Sequence, residues 1–124
     1  MSIIYDALRY AGIGPQYRGY RYLALAVGLV MEYGWDDIQI TKTVYPEIAE
    51  RYNTAWRSVE RDIRTAIQRA WESGGQEIMG RIIGRQLEQR PTNRQFICAV
   101  AEELSKAAAE SSVGILYLQF MAED

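Results

Sequence analysis

Residues 46–66, PEIAERYNTAWRSVERDIRTA, constrain the fold of this chain more than any other stretch. Pro46 suits the first position of a helix, because its missing N–H would find no partner there anyway. The helix it opens should end at Tyr52. Thr54 is placed to N-cap a second, longer helix from Ala55 to about Ser73, stopped by Ser-Gly-Gly. Two helices joined this tightly need a small residue where they cross. They also need a residue that tolerates positive φ four positions later, and an apolar lock six further on. Ala49, Asn53 and Val59 stand at those positions, and asparagine is the best non-glycine residue for a left-handed turn conformation. Ile48 and Tyr52 complete the expected inner face. The spacing is that of a helix-turn-helix.

The second helix has two chemically distinct faces. Val59, Ile63, Ala66, Ile67, Ala70 and Trp71 recur at intervals of three and four and form one apolar stripe. Arg57, Arg61, Arg64 and Gln68 lie opposite, with Glu60 flanking them. Such a helix can enter the major groove, where a forked guanidinium grips guanine O6 and N7 and a carboxylate accepts from a cytosine amino group. Arginines on an amphipathic helix are most often only a solvated face, and helical hairpins with this spacing are common. Periodicity alone therefore leaves DNA binding and a plain surface both open.

The rest of the chain also reads as helix. Residues 2–11 form a short amphipathic segment closed by GIGP. Tyr22, Leu23, Ala26, Val27 and Val30 mark a helix from about Gly19 to Tyr33, with Gly34 where a left-handed cap would fall. Residues 36–44 read as a short helix or turn, and another helix covers roughly 76–87. After the RPTN loop, Thr92 and Gln95 have the form of a capping box. The helix they open places Phe96, Ile97, Val100, Ala101 and Leu104 on one face and should fade near Ala109. The expectation is an all-α bundle of about six helices in one domain, residues 1–109. An apolar tail, 110–124, would fold back onto it, serve as a docking or dimerising segment, or stay disordered.

Composition excludes several chemistries. With no histidine and a single cysteine there is no imidazole base and no thiolate zinc cluster. No glycine-rich phosphate loop appears. The adjacent acids Asp36-Asp37 and Glu102-Glu103 point different ways on a helix. Neither an enzyme nor a cofactor is expected. No apolar run is long enough for a bilayer, so no membrane association is expected, and Cys98 in an apolar context suggests a buried thiol in a reducing cytoplasm. The formal net charge of -2 argues against DNA only until it is divided. Residues 51–69 hold five arginines against Glu60 and Asp62, net +3. Residues 81–94 hold four arginines against Glu88, also +3. A basic face follows if the two segments fold side by side.

Several separated motifs occur in order: GIG followed by GYRYL, then ITKTVYPEIAERYNT, VERDIRTAI, Ala70-Trp71 and RPTNRQFI. In these the chain resembles the C-terminal DNA-binding effector domain of the stage-zero sporulation response regulators, from about Ile3 to Ala109. The resemblance implies a helix-turn-helix domain that reads a short promoter box in double-stranded DNA and regulates transcription. It implies base or backbone contacts by Glu60, Arg61 and Arg64. Arg61 is the first choice for guanine, Glu60 for the neighbouring cytosine, and Arg64 for a base or phosphate. Arg57, Thr54 and Lys42 are expected on phosphates, which position the helix without reading sequence. Ser58 and Thr65 occupy contact positions where the family carries basic side chains, and Asp62 adds a negative charge beside them. Two copies on tandem boxes and a contact to RNA polymerase are the implied partners. Family members carry an N-terminal receiver domain, whereas this sequence starts at the effector domain. If it is complete, it would be constitutive or governed by a partner. The alternative is an interaction module that pairs with a full-length regulator through its tail and does not act on DNA.

Overall fold

The computed structural model describes residues 2–34 and 39–122, with side chains described over 3–34 and 39–109. Asp36 and Asp37 lie outside the described residues. Among the described residues there are six α-helices and no strand: α1 Ser2–Tyr10, α2 Arg18–Tyr33, α3 Tyr45–Arg51, α4 Trp56–Ala70, α5 Gln76–Ile83 and α6 Asn93–Ala122. Two five-residue π-helical turns complete the chain path. Ile40–Val44 leads into α3, and Trp71–Gly75 joins α4 to α5. The all-α expectation holds.

α2 is the axis of the bundle, because its inner face is apolar on more than one side. Leu23, Ala24, Ala26, Val27 and Val30 are fully buried, and the helix packs on α1, α3, α4 and α6. Leu8 of α1, Ile48 of α3, Ile63 and Ile67 of α4, Met79 of α5 and Phe96 and Ile97 of α6 close the same core. Burying a side chain of this size contributes about 1.5–3 kcal/mol relative to exposure. Every inner-face residue expected on α2 is buried, as are Phe96, Ile97, Val100 and Ala101 of α6. Cys98 is half-buried rather than sealed, and burial pushes its thiol pKa up.

Several boundaries differ from expectation for identifiable reasons. Thr54 is not the N-cap of α4. Ala55 holds that place in an extended conformation, with no side-chain cap bond, and Thr54 N–H instead donates to Ala49 O at 2.9 Å. That bond serves a carbonyl at the C-terminal end of α3, not the first N–H groups of α4, and the N–H groups of Ser58 and Val59 both return to Ala55 O. α4 then ends at Ala70, because the chain widens into the π turn and leaves helical geometry at Ser73 and Gly74, the latter with φ 98°. Gly34 has positive φ, 87°, but its ψ of 137° lies outside the left-handed basin, and its N–H closes α2 on Val30 O at 2.8 Å. α5 stops at Ile83, short of residue 87, since Gly84 takes the left-handed conformation and caps it.

The Thr92–Gln95 capping box forms as the sequence predicts. Thr92 N–H donates to Gln95 Oε1 at 2.9 Å, and Gln95 N–H donates to Thr92 Oγ1 at 3.1 Å. The helix it opens does not fade near Ala109. Its backbone continues unbroken to Ala122, 30 residues in all or about 45 Å. The apolar segment after Ala109 therefore prolongs α6 instead of turning back as a separate element. Among the described residues no helix is long and apolar enough to cross a membrane.

Candidate nucleic-acid interface

The helix, turn and helix of residues 45–70 form as the spacing requires. Asn53 is the one non-glycine residue with positive φ among the described residues, at 52°. Its N–H reaches Glu50 O at 3.3 Å and Tyr52 N–H reaches Ile48 O at 3.0 Å, so the chain reverses within three residues. Ala49 at the crossing and Val59 at the lock are both buried. Tyr52 departs from the expected inner face. It is 40% exposed and meets Tyr22 edge to face, ring centroids 5.1 Å apart.

α4 is gripped along its apolar stripe. Val59, Ile63, Ala66, Ile67 and Ala70 are buried, while Trp71, just past the helix end, is only partly so. The tightest approach comes from α2. A Cβ placed on Gly19 would lie 2.2 Å from Asp62 O and 2.8 Å from Ala66 Cβ, so only glycine lets the two backbones meet there. Opposite this face, Arg57, Arg61 and Gln68 are exposed, with Arg64 half-exposed beside them.

The site's charges are partly paired before any ligand arrives. Arg64 Nη1 donates to Glu60 Oε1 one turn back, in a pair whose side chains are 41% and 30% exposed. Arg61 is more open than Arg64, its side chain 62% exposed, with Nε 3.6 Å from Asp62 Oδ1. That distance is an ion pair without a hydrogen bond, and a pair this open to water holds Arg61 only weakly. Arg57 lies over the ring of Trp56, 5.3 Å from its centroid. Trp56 was not foreseen. Its signal was a large aromatic at the start of an otherwise polar helix face, and it is 38% exposed.

The remaining expected residues surround this stripe. Thr65 is exposed on α4, and Ser58 is half-buried in its first turn. Thr54 is half-buried in the turn, and Lys42 is exposed on the π turn that feeds α3. The second basic segment is brought to α4 only in part. Asn93 Nδ2 donates to Glu60 O at 3.0 Å, and Glu88, Gln89, Arg90 and Thr92 share a cleft with Gln68, Trp71 and Glu72. Arg81, in contrast, pairs with Glu77 at 2.6 Å and faces Tyr10 of α1, so its charge does not serve this face.

The family model described as Sporulation initiation factor Spo0A C terminal matches residues 4–104. The chain belongs to this family. Its members are DNA-binding effector domains of response regulators that act on transcription in sporulation. The match takes in the whole bundle from α1 into α6, including the turn at Asn53 and the full arginine stripe. It ends inside α6, and the helix continues for a further stretch from residue 105 to Ala122.

Proposed function

We propose that the chain reads a short promoter box in double-stranded DNA by placing residues 55–68 in the major groove. The observation that carries this is the contrast between the two sides of α4. One side is fixed by a buried stripe and by the backbone contact at Gly19, while the other exposes Arg57, Arg61 and Gln68, with Arg57 lying over Trp56 and Gln68 Nε2 donating to Glu72 Oε1 at 3.0 Å. Arg61 is the principal guanine contact. The Glu60–Arg64 pair presents a pre-oriented carboxylate to a neighbouring cytosine, and Arg64 keeps unused N–H donors for a base or phosphate. Lys42, Thr54, Arg57, Ser58 and Thr65 surround these as contacts to the sugar-phosphate backbone. Two copies on tandem boxes and a contact to RNA polymerase complete this reading of a transcriptional regulator.

The test is fluorescence anisotropy with a duplex carrying a family-type box and a scrambled duplex, at several salt concentrations. With about 4–6 phosphates neutralised per copy, affinity should fall with a log–log salt slope of about -4 to -5. Arg61→Ala should erase the preference for the box, a loss of about 1–3 kcal/mol, while weak salt-dependent binding persists. Failure to bind either duplex at low salt would refute the proposal. Box preference that survives Arg61→Ala would remove Arg61 from its role.

A further inference from the structure

Asn93 opens α6, yet its side chain does not cap that helix. Thr92 already supplies the capping oxygen, which leaves the Asn93 amide free to face the helix-turn-helix. There its nitrogen makes two bonds across long stretches of sequence. Nδ2 donates to the backbone carbonyl of Glu60 in α4 at 3.0 Å and to the hydroxyl of Tyr45, first residue of α3, at 3.1 Å. One amide group therefore ties both helices of the motif to the start of α6. The reverse orientation of the amide would set oxygen against the Glu60 carbonyl, two acceptors face to face, so nitrogen is the atom that points there.

This arrangement leaves Asn93 Oδ1 buried with no partner in the protein. Native proteins leave few buried polar atoms unpaired, so an apolar residue at 93 would be the less costly choice if packing alone were served. The carbonyl that Asn93 holds belongs to Glu60, whose carboxylate pairs with Arg64. The Tyr45 hydroxyl lies close enough to feel the charges of both. Asn93 thus grips the backbone beneath two of the side chains placed at the DNA face.

We infer that Asn93 is a positioning residue for sequence reading: it fixes how α4 is set on the bundle, so that Glu60, Arg61 and Arg64 meet the base edges in register. This inference rests on the proposed reading of duplex DNA. Small displacements of a reading helix cost base contacts, which need fixed geometry, more than phosphate contacts, which tolerate slack. Loss of the Asn93 bonds should therefore lower discrimination between box and scrambled duplexes while leaving nonspecific affinity nearly intact.

The experiment compares the full chain with Asn93→Asp and Asn93→Ala. Asn93→Asp keeps the shape, removes both N–H donors, and places an acid in the first turn of α6, where the helix dipole favours it. Its added charge weakens both duplexes together, so the box-to-scrambled affinity ratio is the quantity to read. The expected result is a ratio lowered about five- to tenfold in both variants, with scrambled-duplex affinity of Asn93→Ala within about twofold of the parent. Amide hydrogen exchange should also quicken across residues 56–66 more than across α2. An unchanged ratio in folded variants would overturn the inference. Parallel loss of both affinities in Asn93→Ala, or failure of both variants to fold at 25 °C, would overturn it too, because Asn93 would then be a core determinant only. A parent chain with no box preference refutes the proposed function itself, and the inference with it.

Discussion

Gly19 offers a test in which two physical effects oppose each other. Alanine is the better helix former by about 1 kcal/mol, so Gly19→Ala should stabilise α2 if propensity governed. Packing says otherwise. The new Cβ would sit 2.2 Å from the carbonyl oxygen of Asp62 and 2.8 Å from Ala66 Cβ, roughly 1 Å inside normal contact. A backbone carbonyl cannot swing aside as a flexible side chain does, so α2 and α4 must move apart. Overpacking of this kind costs about 1–3 kcal/mol, and separation also strips contacts from the neighbouring core. We expect a net loss of about 2 kcal/mol, which for a domain of this size lowers Tm by roughly 10 °C. Urea unfolding followed by circular dichroism should show a lower midpoint at an unchanged slope. Gly28→Ala is the control on the same helix. Its Cβ would meet only Ile4 Cδ1 at 3.7 Å, so propensity should win and stability should stay level or rise by up to about 1 kcal/mol. If Gly19→Ala proves as stable as Gly28→Ala, the close approach of α2 to α4 is not what the structure says it is.

Other expectations follow from single contacts. Thr92→Ala removes the acceptor for Gln95 N–H and should cost about 1 kcal/mol, read as a lower urea midpoint. Asn53→Ala must hold positive φ without asparagine's tolerance and should lose about 1 kcal/mol, whereas Asn53→Gly should keep or gain stability in the same assay. Burial pushes the Tyr45 hydroxyl pKa above its ordinary value, with the Asn93 bond acting against the shift. The unfolded chain then releases this proton first as pH rises, so stability is unaffected below about pH 10 and falls above it. Tyr45→Phe should lack that part of the alkaline loss; equal slopes for the two proteins would show that Tyr45 does not titrate as described.

The helices and the turn were legible because each has a local cause. Asn53 stands where a left-handed residue is needed, Thr92 and Gln95 satisfy one another's N–H groups, and the stripe from Val59 to Ala70 repeats at helical spacing. The arginine stripe was legible for the same reason, since the opposite face of that period must be exposed. What escaped depends on neighbours distant in sequence. One exception is local: the N-cap place falls to Ala55, in extended conformation, and not to Thr54. Arg81 has the same side chain as Arg61, but its partners are Glu77 and Tyr10, so a charge count along the chain overstates what the interface receives. Asn93 hid inside a capping motif whose work Thr92 and Gln95 do between them.

On the proposed function α4 has to be held without being covered, and the two requirements compete because every contact that fixes α4 takes surface from it. Beyond its buried apolar stripe, α4 is gripped by its backbone. On one flank, Gly19 brings α2 against the carbonyl of Asp62; on the other, Asn93 holds the carbonyl of Glu60. Both contacts use backbone atoms, and they fall on either side of Arg61, whose side chain is 62% exposed. Asp62 is only 20% exposed because its backbone is the crossing point, which keeps its carboxylate at the edge of the site beside Arg61. A negative charge there looks harmful for DNA binding, yet it lies too far from Arg61 Nε for a hydrogen bond and Arg61 itself is open to water, so a duplex has little to displace. By this reasoning Asp62→Asn should strengthen binding to box and scrambled duplexes alike, by a few-fold at low salt, leaving their ratio unchanged. A change in the ratio would mean that Asp62 takes part in reading sequence, and that the division between backbone grip and side-chain reading is wrong on that flank.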